Sequence, residues 1–69
     1  MDIGVVIKKY RKEVGMTQEE MANRLGVTTP AVNKWENSNS KPDFVIIIVF
    51  FEYIINEREE KIQEKLFDF

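Results

Sequence analysis

The side chains able to do chemistry in this chain are few in kind. Histidine and cysteine are both absent, which removes the commonest general base, the commonest metal ligand and any thiolate. No glycine-rich phosphate loop and no nucleophile–base pair can be picked out. The carboxylates of NEREE, residues 56–60, have the pattern of a solvated helical face. Catalysis, a metal site and a cofactor are therefore not expected. What remains is charge and hydrogen bonding. The stretch TTPAVNKWENSN, residues 28–39, sets Thr28, Thr29, Asn33, Lys34 and Asn37 around a proline and a tryptophan. Cations cluster earlier, at Lys8, Lys9, Arg11 and Lys12, and Lys41 comes later.

Sixty-nine residues make one small domain, 1–69. A chain of that size buries only about 60% of its unfolded surface, so its stability margin is thin. Hydrophobic residues at 43% and charged residues at 32% place it among globular domains, not disordered tails. The net charge of −2 is unevenly spread: Met1 to Asp43 carries seven Lys/Arg against six Asp/Glu, and Phe44 to Phe69 three against six. That balance argues against a strong non-specific polyanion binder but leaves room for one basic face. The opening MDIGVVIKKY puts an acid first with no long apolar core. No signal peptide is expected, and the cytoplasm is the default location.

The elements that must position these side chains follow from spacing. Ile3, Ile7, Tyr10 and Val14 step by four, three and four along one helical face, and Gly15 ends that helix. Thr17 with Glu20 is a capping box opening a second helix, with Met21, Ala22 and Leu25 inward and Gly26 as a left-handed stop. Pro30 suits the first turn of a third helix, so its N-cap is Thr28 or Thr29. The constraint that proline places on its predecessor leans toward Thr29. Val32 and Trp35 face inward. Residues 37–41 form a loop closed by Pro42, and Asp43 can cap the next helix.

Helix, short glycine turn and short helix describe a helix-turn-helix, here residues 17–37. Counting from Gln18, the fifth position is small (Ala22), the ninth glycine (Gly26) and the tenth apolar (Val27). The fifteenth is β-branched (Val32) and the eighteenth is Trp35. Small residues let the two helices cross closely, the glycine makes the turn, and the last two fill the wedge. On these residues, together with R…G.TQEE.A..LGV, V.KWEN and KPD, the stretch from Ile3 to Asp43 resembles the lambda-repressor-like (Xre-type, Cro-related) helix-turn-helix family. The resemblance implies an all-α fold, a compact bundle of four to five helices, with the third in the DNA major groove.

It also implies roles. Lys34 takes a position that meets base edges, and lysine donates well to guanine; the plainer reading is a solvated surface lysine. Thr29, Pro30 and Asn33 match other base-facing positions, although Thr29 can be a cap alone and Asn33 merely exposed. Gln18 at the start of the second helix faces a phosphate in the family, with Thr28, Asn37, Lys41 and Lys9 as further phosphate candidates. Arg11 and Glu36 correspond to a pair beneath the motif and are expected to be structural, as are Ala22, Gly26, Val32 and Trp35. The implied protein is a sequence-specific DNA-binding repressor acting as a homodimer on double-stranded DNA.

Two departures stand out. The family usually has glycine where this chain has Ser38, and serine there forfeits about 1 kcal/mol of left-handed preference unless Asn37 or Asn39 takes that conformation. After Asp43 comes FVIIIVFFEYII, apolar on every side, which makes residues 44–69 an atypical helical region. Ile46, Ile47, Phe50, Tyr53 and Ile54 fit inward positions. Val45, Ile48 and Val49 fall where relatives are usually polar. β-Propensity alone would make 44–51 a buried strand. No partner strand exists, and twelve residues interrupted by Glu52 are too few to span a bilayer. Further on, Ile62, Leu66 and Phe69 make a narrow stripe on a charged helix. The fourth and fifth helices are either separate or fused. The exposed apolar surface is a candidate for dimerisation, or for a protein partner in a rival class of antitoxin or anti-repressor that shares this fold.

Overall fold

The computed structural model describes residues 2–67, in four helices with no strand among them. The helices are α1 (Ile3–Glu13), α2 (Gln18–Leu25), α3 (Thr29–Glu36) and α4 (Phe44–Phe67). Among the described residues the bundle therefore holds four helices and no fifth. Phe69 of the expected stripe lies outside the described residues.

Local chemistry sets each start. The Asp2 carboxylate accepts from Gly4 N at 2.9 Å to cap α1. Thr17 Oγ1 accepts from Glu20 N while Glu20 Oε1 accepts from Thr17 N, both at 3.1 Å, closing the capping box of α2. The N-cap of α3 is Thr28, whose Oγ1 accepts from Ala31 N at 3.3 Å. The lean toward Thr29 is thus corrected. Pro30 occupies the second helical position and lacks only a donor that would have been orphaned there. Asp43 caps α4 through Val45 N at 3.1 Å.

The three short helices end alike. A left-handed residue lets the next backbone N–H reach a carbonyl five residues back. Met16 N donates to Arg11 O, Val27 N to Ala22 O and Asn39 N to Lys34 O, at 2.9–3.1 Å. Gly15 and Gly26 supply the positive φ in the first two. In the third it is Ser38 itself, at φ 61, and neither flanking asparagine takes that conformation. Ser38 is held there by its own side chain, because its hydroxyl donates to Asp2 Oδ2 at 2.6 Å and so ties the end of α3 to the start of α1.

The core gathers Ile7, Val14, Met21, Ala22, Leu25, Val32 and Trp35, capped by Phe50 and Ile54 of α4. Phe50 meets Phe51 edge-on at 5.3 Å between centroids. α4 is one helix because nothing after Pro42 can stop it: no glycine or proline occurs beyond that point. Its 24 residues rise about 36 Å; its buried core residues end at Ile54, and beyond them Arg58 and Lys61 reach back to Glu13 of α1. The 12.8 Å radius of gyration accordingly exceeds the roughly 11 Å of a compact domain this size. No described helix is long and apolar enough to cross a membrane.

Candidate nucleic-acid interface

The start of α2 and the outer side of α3 meet in a shallow depression of about 490 Å³, lined by Gln18, Thr29, Pro30, Asn33 and Lys34. Four sequence-nominated residues of α3 thus share one surface with Gln18. Three structural features bring them there. Gly26 (φ 71) turns the chain between the helices. Ala22, 1% exposed, lets them cross closely, and Val32, 0% exposed, fills the wedge.

A continuous hydrogen-bond chain runs from this surface into the interior. Asn37 Nδ2 donates to Asn33 Oδ1 at 3.1 Å, and Asn33 Nδ2 donates to Gln18 Oε1 at 3.3 Å. Gln18 Nε2 donates to Glu36 Oε1 at 3.1 Å. Glu36 receives Arg11 twice, Nε at 2.7 Å and Nη2 at 2.9 Å, and Arg11 Nη1 donates to Met16 O at 2.7 Å. Arg11 and Glu36 are each 7% exposed. Two parallel hydrogen bonds between ions are the strong, orienting kind. The arrangement leaves no buried side-chain nitrogen or oxygen without a partner among the described residues.

The electrostatics derive from that geometry. Burial works against the Glu36 carboxylate, but hydrogen bonds from Arg11 and Gln18, and the charges of Arg11 and Lys8, outweigh it and lower its pKa below the ordinary 4.5. The hydrogen bond to Glu36 likewise raises Arg11 above its usual value. Both groups are held in their charged forms, so the depression rests on a fixed ion pair. Lys34 is exposed, and among the described residues no hydrogen bond or ion pair engages its side-chain ammonium.

The other nominated residues are more scattered. Thr28 is spent on the helix cap, although its side of the turn is exposed, and Asn37 sits at the exposed end of α3. Lys41 lines a separate depression of about 270 Å³ with Asp2, Ile3, Ser38 and Ser40, past the C-terminal end of α3. Lys9 lies over the Tyr10 ring at 5.5 Å, a ring that Arg58 of α4 also overlies. It lines neither depression. Lys8, noted in the sequence only as one of the clustered cations, is the α1 lysine whose charge reaches Glu36. Among the described residues no cluster of acidic, histidine or cysteine side chains could hold a metal.

Gly4 escaped sequence reasoning altogether. A Cβ placed there would overlap the Trp35 carbonyl oxygen and lie 2.9 Å from its carbonyl carbon. The start of α1 is pressed against the backbone at the end of α3. The available signal was a lone glycine inside a helical pattern, a placement that costs about 1 kcal/mol against alanine.

A sequence model of the helix-turn-helix family matches residues 7–50, which hold every residue of the hydrogen-bond chain. Among curated proteins, an uncharacterized HTH-type transcriptional regulator, YqaE of Bacillus subtilis (strain 168), is 34% identical over 64 residues, covering 81% of this chain and 55% of that protein. An uncharacterized HTH-type transcriptional regulator of Methanothermobacter thermautotrophicus is 39% identical over 41 residues, 59% of each chain. The chain thus spans a little over half the length of these relatives. No solved structure matches it.

Proposed function

The chain belongs to the lambda-repressor-like helix-turn-helix family, and from that premise we propose that it is a sequence-specific DNA-binding regulator that represses transcription as a homodimer. The observation carrying this is the common exposed face of Thr29, Pro30, Asn33 and Lys34 with Gln18, hung on a buried ion pair. α3 enters the major groove. Lys34 donates to guanine, Asn33 meets an adenine edge or a phosphate, and Thr29 and Pro30 pack on thymine methyl groups. Gln18, Thr28, Asn37 and Lys41 hold the backbone and fix the register.

Asn33 donates a hydrogen bond to Gln18, which orients both side chains before DNA arrives. Less rotamer freedom is then lost on binding. Both relatives carry names of transcriptional regulators, which supports the same reading. The rival class, a protein-interaction module, draws on the exposed apolar residues of α4.

Selection of bound fragments from a random DNA pool tests the proposal. The expected outcome is enrichment of a two-fold symmetric motif, its half-sites about one DNA turn apart. Affinity should fall as salt rises, by close to one logarithmic unit per phosphate contacted per tenfold salt. A pool that emerges without enrichment contradicts the reading.

A further inference from the structure

α4 carries two apolar rows, and the core uses one of them. The inner row is Phe50 and Ile54, with half-buried Ile46 and Tyr53. It stops at Ile54, since the next positions on that side are half-buried Glu57 and exposed Lys61. The outer row continues. Phe44, Ile48, Ile55, Ile62 and Leu66 remain 51–74% exposed. At 3.6 residues per turn they fall within about 40° of arc, roughly 120° around the helix from the inner row, along some 33 Å. Ile48, Ile55 and Ile62 repeat every seven residues, the period of a seam between two helices. The far half of α4 is exposed from residue 58 to 66, and a helical piece that short is marginal without a packing partner.

We infer that this row is the seam of a homodimer in which two α4 helices lie side by side and parallel. The inference rests on the dimeric reading above and specifies its geometry. Charge chooses the occupant and its direction. One flank of the row carries Glu52 and Glu59, and the other carries Arg58 and Lys65. A second copy related by a two-fold axis along the seam sets each acidic flank against the partner's basic flank. An antiparallel copy would set Glu52 and Glu59 against their own kind. Arg58 also pairs with Glu13 of its own chain at 3.3 Å, with both side chains 40% or more exposed, so it remains open to a second carboxylate. Exposed ion pairs contribute little to affinity. The isoleucine row holds the helices together, and the flanks set their direction. α4 begins seven residues after α3, so a parallel pair brings both α3 helices to the same end of the seam.

The absence of cysteine makes single-cysteine variants direct reporters. Ile48→Cys and Ile62→Cys, oxidised separately and mixed, are compared with the sedimentation of the wild type and of Ile62→Glu. Parallel pairing predicts a disulfide-linked dimer from each variant alone. It predicts no 48-to-62 link in the mixture, where the positions lie about 21 Å apart along the axis. The wild type should sediment at about twice its 8.2 kDa. Ile62→Glu should sediment at the single-chain mass while staying helical, because Ile62 is outside the core. Links found only in the mixture, or a wild type monomeric at high concentration, would overturn the inference. A monomer that still selects one DNA sequence overturns the seam and the homodimer and leaves sequence-specific DNA binding standing. A parallel dimer that enriches no sequence does the reverse.

Discussion

Glu36→Ala should destabilise the domain by about 3–5 kcal/mol, because it leaves the Arg11 guanidinium buried without its counter-ion. Arg11 is 7% exposed and gives two of its donors to Glu36. Removing the carboxylate also strands Gln18 Nε2. A domain of this size has little more than that to lose, so the variant should be largely unfolded in denaturant titration at 25 °C. The same pair sets the acid limb. Glu36 has a folded pKa below its ordinary 4.5, so its stabilisation is fully present above that value and disappears as pH falls through the folded value. Glu36→Gln, less disruptive in shape, should flatten the loss of stability below pH 4.5. An alanine variant that melts like the wild type would show that the pair does not hold the domain together.

Gly4→Ala should lose about 3 kcal/mol, the upper end for a forced fit, although alanine usually gains close to 1 kcal/mol over glycine inside a helix. Structure decides the sign. The atom in the way is the Trp35 backbone oxygen, which cannot swing aside as a side chain would. That oxygen already accepts from Ser38 N at 3.1 Å. Relief therefore requires shifting α1, with Ile7 and Arg11 on it, or opening the end of α3 that Ser38 closes. Thermal melting of the single variant decides the matter: a rise would mean that α1 and α3 do not approach as closely as described.

What was legible in the sequence was mostly what is local. Thr17 and Glu20 sit three residues apart and reveal their capping box without the rest of the chain. The glycine stops at 15 and 26 and the inward rows of α1 and α2 are equally short-range. The family spacing from Gln18 to Trp35 carried the all-α fold. The hidden parts depend on groups far apart in sequence. Ser38 adopts the left-handed conformation while bonded to Asp2, 36 residues away, and that bond has no local signature. Gly4 matters only because Trp35 arrives beside it. The helical state of α4 had to be chosen against its β-branched composition, and the absence of any strand partner decided it. Its outer row was visible as misplaced apolar residues, yet its heptad column emerged only when α4 proved continuous past Ile55. Within the interface, Gln18 and Asn33 were nominated separately, and nothing in the sequence joined them into one hydrogen-bonded chain.

In the proposed function α3 reads bases while its exit loop only holds the backbone, and Lys34 and Lys41 separate the two. They carry equal charge but line different depressions. Affinities of Lys34→Ala and Lys41→Ala, each on a matched and a mismatched site at two salt concentrations, test this most directly. Lys34→Ala should cost about 1–3 kcal/mol on the matched site and flatten preference at one or two base pairs. Lys41→Ala should weaken both sites alike and reduce the salt slope by roughly one unit for each phosphate no longer neutralised, or two if a dimer gives up one on each side. Equal losses on both sites for both variants would contradict it, and would mean that this helix does not read DNA.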